Sequence, residues 1–218
     1  MRFSWLILLF YCTYLFLVLL KIEQVVFYMK PFLIPSLLLL LVGDLSLSEN
    51  KPLLFALFFS TLGDILLMFK GESFFILGLI SFLLAHLVYI LIFKGLLKSF
   101  KLNGFVVLTT AFIVTYFMVF VSYLWPFLGE MRLPVLFYAF VISAMFWFSI
   151  QFYKNRTSYK WYIIFGAMLF VISDSILSVQ LFRGAFTHAH FYVMLTYLLA
   201  QFLIVKGVLN TRHEIVKI

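Results

Sequence analysis

The stretch SFFILGLISFLLAHLVYILIF, Ser73–Phe93, contains no Asp, Glu, Lys or Arg. As a helix rising about 1.5 Å per residue it is long enough to cross the roughly 30 Å hydrocarbon core of a bilayer. Working outward, charges, glycines and prolines divide the rest of the chain into comparable runs. Downstream lie Phe105–Leu124, Leu133–Tyr153, Trp161–Phe182 and Phe191–Leu209; upstream lie Pro52–Phe69, Pro31–Leu47 and Ser4–Leu20. The pattern predicts an all-α, polytopic membrane protein of about eight transmembrane helices, forming a single helical domain over residues 1–218. Pro31, Pro35, Gly43 and Asp44 interrupt the second run and make it the least regular.

Composition points the same way. Hydrophobic residues make up 66% of the chain and charged residues 11%, and the mean hydropathy is +1.17. No water-facing surface can be built from that balance, because soluble domains carry about a quarter charged residues. A net charge of +8 would point to nucleic acid in a soluble protein. Here the basic residues fall between apolar runs, where orientation and anionic headgroups account for them, so membrane lipids and not nucleic acid are the expected partners. Cys12 is the only cysteine, which excludes an intrachain disulfide and a thiolate cluster. No small-residue cleavage site follows the first run before Lys21, so it is expected to be a retained helix and not a removed signal peptide.

With eight spans, the side bearing the termini carries eleven Lys/Arg and the opposite side five. The positive-inside rule then places both termini in the cytoplasm, in the inner membrane if the source is bacterial. Trp5, Trp125, Tyr159, Trp161 and Tyr162 sit at span ends, as interfacial belts require. A faint repeat runs through the chain. Gly63-Asp64-Ile65-Leu66-Leu67 is followed by Lys70-Gly71, and Ser173-Asp174-Ser175-Ile176-Leu177 is followed by Arg183-Gly184. If the spans form two parallel four-helix halves, Asp64 and Asp174 are pseudo-equivalent and face one centre.

A carboxylate inside an apolar span needs pairing, neutralisation or water, so Asp64 and Asp174 are the first candidates for function. Asp64 is five residues, roughly 8 Å, and Asp174 eight residues, roughly 12 Å, from the same side of the membrane. The bland alternative is an interhelical hydrogen-bond pair. Lys30 at the mouth of the second span, Tyr138 in the sixth, and Tyr197 with Gln201 one turn apart in the eighth fall at compatible depths and outline a polar pocket. Each also has a structural reading: snorkelling for Lys30, the aromatic belt for Tyr138, helix pairing for Gln201. His86 shares a helical face with Gly78, Phe82, Tyr89 and Phe93, as a packing donor or as a group orienting a carboxylate or water. His188 and His190 fall in a loop, and Glu72, Glu130, Asp44 and Glu49 read as solvated groups at span ends. Three histidines do not converge within the membrane, so no metal or other cofactor is expected. No phosphate loop, nucleophile elbow or HExxH occurs.

Lys30-Pro31 before an apolar span, Leu62-Gly63-Asp64 with Leu66-Leu67, Phe74-Phe75 followed by His86 and Tyr89, Ser173-Asp174-Ser175, and Tyr197 with Gln201 resemble, in order and spacing, the YhhN-like lysoplasmalogenase family over residues 28 to 206. The resemblance implies a multispanning hydrolase that cleaves the vinyl ether of lysoplasmalogens to a fatty aldehyde and a glycerophospho-alcohol. It maps the family's paired aspartates to Asp64 and Asp174. It also makes Lys30, His86, Tyr89, Tyr138, Tyr197 and Gln201 candidates for holding a lysophospholipid, with Lys30 as a point charge for phosphate. Vinyl ether hydrolysis begins with protonation of the carbon β to oxygen; water then captures the oxocarbenium ion, and the hemiacetal collapses. One neutral and one ionised carboxyl are the minimal kit, by analogy with glycosidases. A proton-coupled transporter relaying protons through the two aspartates is the alternative from another class.

Overall fold

The computed structural model describes residues 3–41, 50–97, 103–154 and 157–216. Among them the chain is helical throughout: α1 (Ser4–Leu19), α2 (Glu23–Leu33), α3 (Lys51–Leu66), α4 (Glu72–Leu96), α5 (Gly104–Leu124), α6 (Arg132–Ile150), α7 (Lys160–Phe182) and α8 (Ala189–Val216), with short 3-10 turns between some of them. Helices α4 to α8 are long and apolar enough to cross a membrane, while α1, at sixteen residues, is a shorter apolar helix. Large apolar side chains such as Leu108, Phe112, Val119 and Leu133 point outward, as a lipid solvent allows and water does not. The apolar window of α8 is 67% buried and that of α5 only 11%, so α8 is the central post and α5 lies at the periphery.

The second span differs from its expected Pro31–Leu47. Helix α2 starts earlier, at Glu23, takes Pro31 into its last turn, and stops at Leu33; a 3-10 segment, Pro35–Leu40, continues the path. The cause is chemical, since Pro35 has no N–H to continue the α-helical ladder. Away from water the broken turn needs replacement donors. Ser36 Oγ donates to the Leu33 carbonyl at 2.5 Å, and Tyr11 of α1 donates to the same oxygen at 3.1 Å. Gly43, Asp44 and Glu49 lie outside the described residues, as do Arg2, Lys98, Lys101, Arg156 and Lys217 of the charge balance.

Helix α3 packs chiefly on α4, and α7 chiefly on α8. Both hairpins are tightened by glycine. A Cβ at Gly63 would sit 2.7 Å from the Phe82 ring, and one at Gly166 would lie 2.9 Å from the Ile204 amide nitrogen and 3.0 Å from the Ala200 carbonyl. Without a hydrophobic force between helices in lipid, such close backbone approach supplies the packing attraction. Helix α3 ends three residues before the expected Phe69: the amides of Leu67, Met68 and Phe69 bond back to Gly63, Ile65 and Leu66 in a tightening turn. Asp64 therefore sits in the last turn of α3 and not five residues inside the span.

Candidate active site

Six helices, α2, α3, α4, α6, α7 and α8, send polar groups into one region. On α3, Ser60 and Asp64 are one turn apart; on the antiparallel α8, Tyr197 and Gln201 repeat that spacing. The two pairs meet rung for rung. The Tyr197 hydroxyl donates to Asp64 Oδ2 at 2.8 Å, and the Gln201 amide donates to Ser60 Oγ at 2.9 Å. Tyr89 of α4 donates to Gln201 Oε1 at 2.6 Å. The ladder ties α3, α4 and α8 together one turn from Asp64 and Tyr197, with both the oxygen and the nitrogen of the buried Gln201 amide engaged.

A second dyad faces the first. Tyr138 of α6 donates its hydroxyl to Asp174 Oδ2 of α7. Neighbouring Ser173 donates to the Val193 carbonyl of α8 at 3.0 Å, and Ser175 pairs with Tyr116 of α5 at 2.5 Å, so the residues flanking Asp174 tie α7 to the helices on either side. Asp64 and Asp174 thus each hold one phenol donor, and both line one space. Helix α2 adds Lys30, which lines the same space as Asp64.

These groups enclose a cavity of about 730 Å³. Lys30, Asp64, Tyr138, Asp174 and Tyr197 line it, together with apolar walls from Leu67, Phe75, Phe82, Leu177 and Met194. That volume lies in the range of small-molecule sites, and the mix of apolar wall with a few convergent polar groups is what such sites show. His86, Tyr89 and Gln201 are not on its wall. They stand one layer behind it, fully buried. His86 donates through Nδ1 to the Phe82 carbonyl at 2.6 Å, has no hydrogen-bond partner at Nε2, and packs edge-on against the rings of Tyr138 and Phe170. It therefore supports the tyrosine that holds Asp174 and touches neither carboxylate.

Other lining residues escape a reading of the sequence. Glu72 and Glu130, read as solvated span-end groups, line the cavity towards the α3–α4 turn with Lys70. His190, placed in a loop by the pattern, is the second residue of α8 and also lines it. Ser173 and Ser178 could be suspected only through their neighbour Asp174. Among the described residues, no group of three His, Cys, Asp or Glu side chains converges to hold a metal ion.

A model described as the YhhN family matches residues 25–208, which takes in every lining residue named above. The chain belongs to the YhhN family. Among curated proteins this YhhN member is similar to lysoplasmalogenase TMEM86B of Homo sapiens, 31% identical over 156 residues, and to the proteins of the same name from Rattus norvegicus, 33% identical over 156 residues, and Mus musculus, 32% identical over 160. The matches cover 71–72% of this chain and 60–62% of the relatives, so the chain spans about six-tenths of their length. No solved structure matches it.

Proposed function

We propose that this YhhN-family protein is a membrane hydrolase that cleaves the vinyl ether bond of a lysoplasmalogen, using Asp64 and Asp174 as a general acid and base pair. The observation that carries the reading is the single cavity lined by two carboxyls, each held by its own tyrosine, on a chain whose curated relatives are named lysoplasmalogenase. Those names also favour a hydrolase over the proton-coupled transporter. In the reaction, the protonated carboxyl delivers its proton to the alkenyl carbon β to oxygen, and positive charge develops on the neighbouring carbon and oxygen. The ionised carboxylate stabilises that charge and takes a proton from the water that attacks it. The hemiacetal then breaks its C–O bond to give aldehyde and alcohol: the carboxyl that took the water proton passes it to the departing oxygen, and the hemiacetal hydroxyl gives its proton to the other carboxylate, which restores the starting pair.

The surrounding residues fit this division of labour. Two carboxyls in one cavity favour a singly protonated pair, since like charges in a poorly solvated space resist being ionised together. Tyr197 and Tyr138 fix which oxygen of each carboxyl is taken, leaving the other for substrate or water. Lys30 holds the phosphate as a point charge, and the apolar wall accepts the alkenyl chain. His86, Tyr89 and Gln201 position the two tyrosines and do not bind substrate themselves. The full architecture proposed with this function is eight crossings in two parallel four-helix halves with both termini cytoplasmic, supported by the paired glycine-tight hairpins that carry the two aspartates. The test is purified protein in detergent mixed with lysoplasmalogen and assayed for free aldehyde: release in proportion to enzyme supports the reading, and none sinks it.

A further inference from the structure

A second cavity, of about 410 Å³, adjoins the first between the α1–α2 turn and the α7–α8 turn. Gln180 and His190 line both cavities, so the two meet across those side chains. Lys21, Glu23 and His188 complete its polar wall. Two features set it apart from an accidental gap. Lys21 and His188 both hold left-handed backbone, with φ of 58° and 59°, a conformation that non-glycine residues adopt against steric resistance and that gathers at functional sites. Gln180 Oε1 is buried without a hydrogen-bond partner, an acceptor left open where the two cavities meet.

The helices provide two rails from the carboxyls to this vestibule. Glu23 and Lys30 are seven residues apart on α2, two turns along one face and roughly 10 Å in rise. Asp174 and Gln180 are six residues apart on α7, roughly 9 Å in rise. A ligand whose reactive bond lies between Asp64 and Asp174 and whose phosphate meets Lys30 extends its far end towards Glu23 and Gln180. Glu23 offers a carboxylate and Gln180 an unpartnered amide oxygen, both of which accept from an ammonium. Lys21 and Lys30 flank them as cations. A phosphate followed by an ammonium, the zwitterionic headgroup of an ethanolamine or choline lysophospholipid, complements that order of charges. A lysophosphatidic acid leaves Glu23 and Gln180 Oε1 unmet.

We propose that this vestibule is the headgroup subsite, in which Glu23 and Gln180 Oε1 receive the ammonium of a zwitterionic lysophospholipid and set headgroup selectivity. The proposal rests on the hydrolase reading for the position of the substrate, and a binding measurement separates the two. The test compares wild type with Glu23→Gln and with Gln180→Leu on 1-alkenyl-glycerophosphoethanolamine and on 1-alkenyl-glycerol 3-phosphate, following aldehyde. In parallel, equilibrium binding of the ester-linked, vinyl-ether-free lysophosphatidylethanolamine and lysophosphatidic acid is measured in detergent. Each variant is expected to reduce the preference for the ethanolamine ligand about tenfold, the scale of one charge-assisted contact, in kcat/KM and in Kd alike. Absence of aldehyde with that binding difference intact would remove the hydrolase reading and leave the subsite standing. An unchanged preference, or equal weakening towards both headgroups, would overturn the subsite.

Discussion

At the residue scale the site is two carboxyl–phenol dyads sharing one space. The bond from Tyr197 to Asp64 and that from Tyr138 to Asp174 play the same part, so Tyr197→Phe and Tyr138→Phe should act alike. Each is expected to lower turnover about tenfold, the worth of one hydrogen bond to a charged group, with thermal stability in detergent little changed. Aldehyde release by variants that elute as the wild type does would measure this. Lys30→Ala should separate binding from chemistry: if the ammonium holds phosphate equally in ground and transition states, KM rises about tenfold or more while kcat holds. A fall in kcat at constant KM would instead assign Lys30 to the chemical step. The two aspartates are legible in the sequence because an apolar span offers nothing that excuses a carboxyl. Ser60, Gln180 and His190 are not, because a neutral polar residue inside or at the edge of a span is common and only its partner across the bundle distinguishes it.

At the scale of elements, packing and not propensity decides where the chemistry stands. Runs such as Ser73–Phe93 announce their helix, and α4 buries the face of Gly78, Phe82, His86, Tyr89 and Phe93 that the spacing of those residues marks out. Helix ends are less legible. Apolar character continues past Leu66, yet the chain turns there, and α2 begins well before its prolines because Glu23 to Met29 are helix-compatible although too polar in part to read as a span. The break at Pro35 depends on a donor from another helix, which no local pattern reveals. Tyr11→Phe should therefore destabilise the fold by about 1 kcal/mol, by leaving the Leu33 carbonyl with one partner fewer. Gly166→Val should do more, about 1–3 kcal/mol or beyond, since its side chain would press into the backbone of α8. Thermal unfolding of the purified variants in one detergent would rank the two, and the reverse order would contradict the proposed role of close helix packing.

At the scale of the whole molecule, the fold brings two carboxyls, a lysine and an apolar wall to one cavity and leaves a polar vestibule beside it. Since no three metal-donating side chains converge among the described residues, activity is expected to survive EDTA and to gain nothing from added zinc. Loss on chelation with recovery on zinc would mean that the carboxyl pair does not act alone. If Asp64 and Asp174 both transfer protons in vinyl ether hydrolysis, replacing either by asparagine removes turnover. Asparagine keeps the size of the side chain and still accepts from tyrosine, so a merely structural pair would tolerate the change. The measurement is aldehyde release from lysoplasmalogen by Asp64→Asn and by Asp174→Asn, each shown to be monodisperse. A loss of at least about a hundredfold is expected in each; near-wild-type turnover in both would rule out proton transfer by the pair and leave the aspartates as helix-pairing residues.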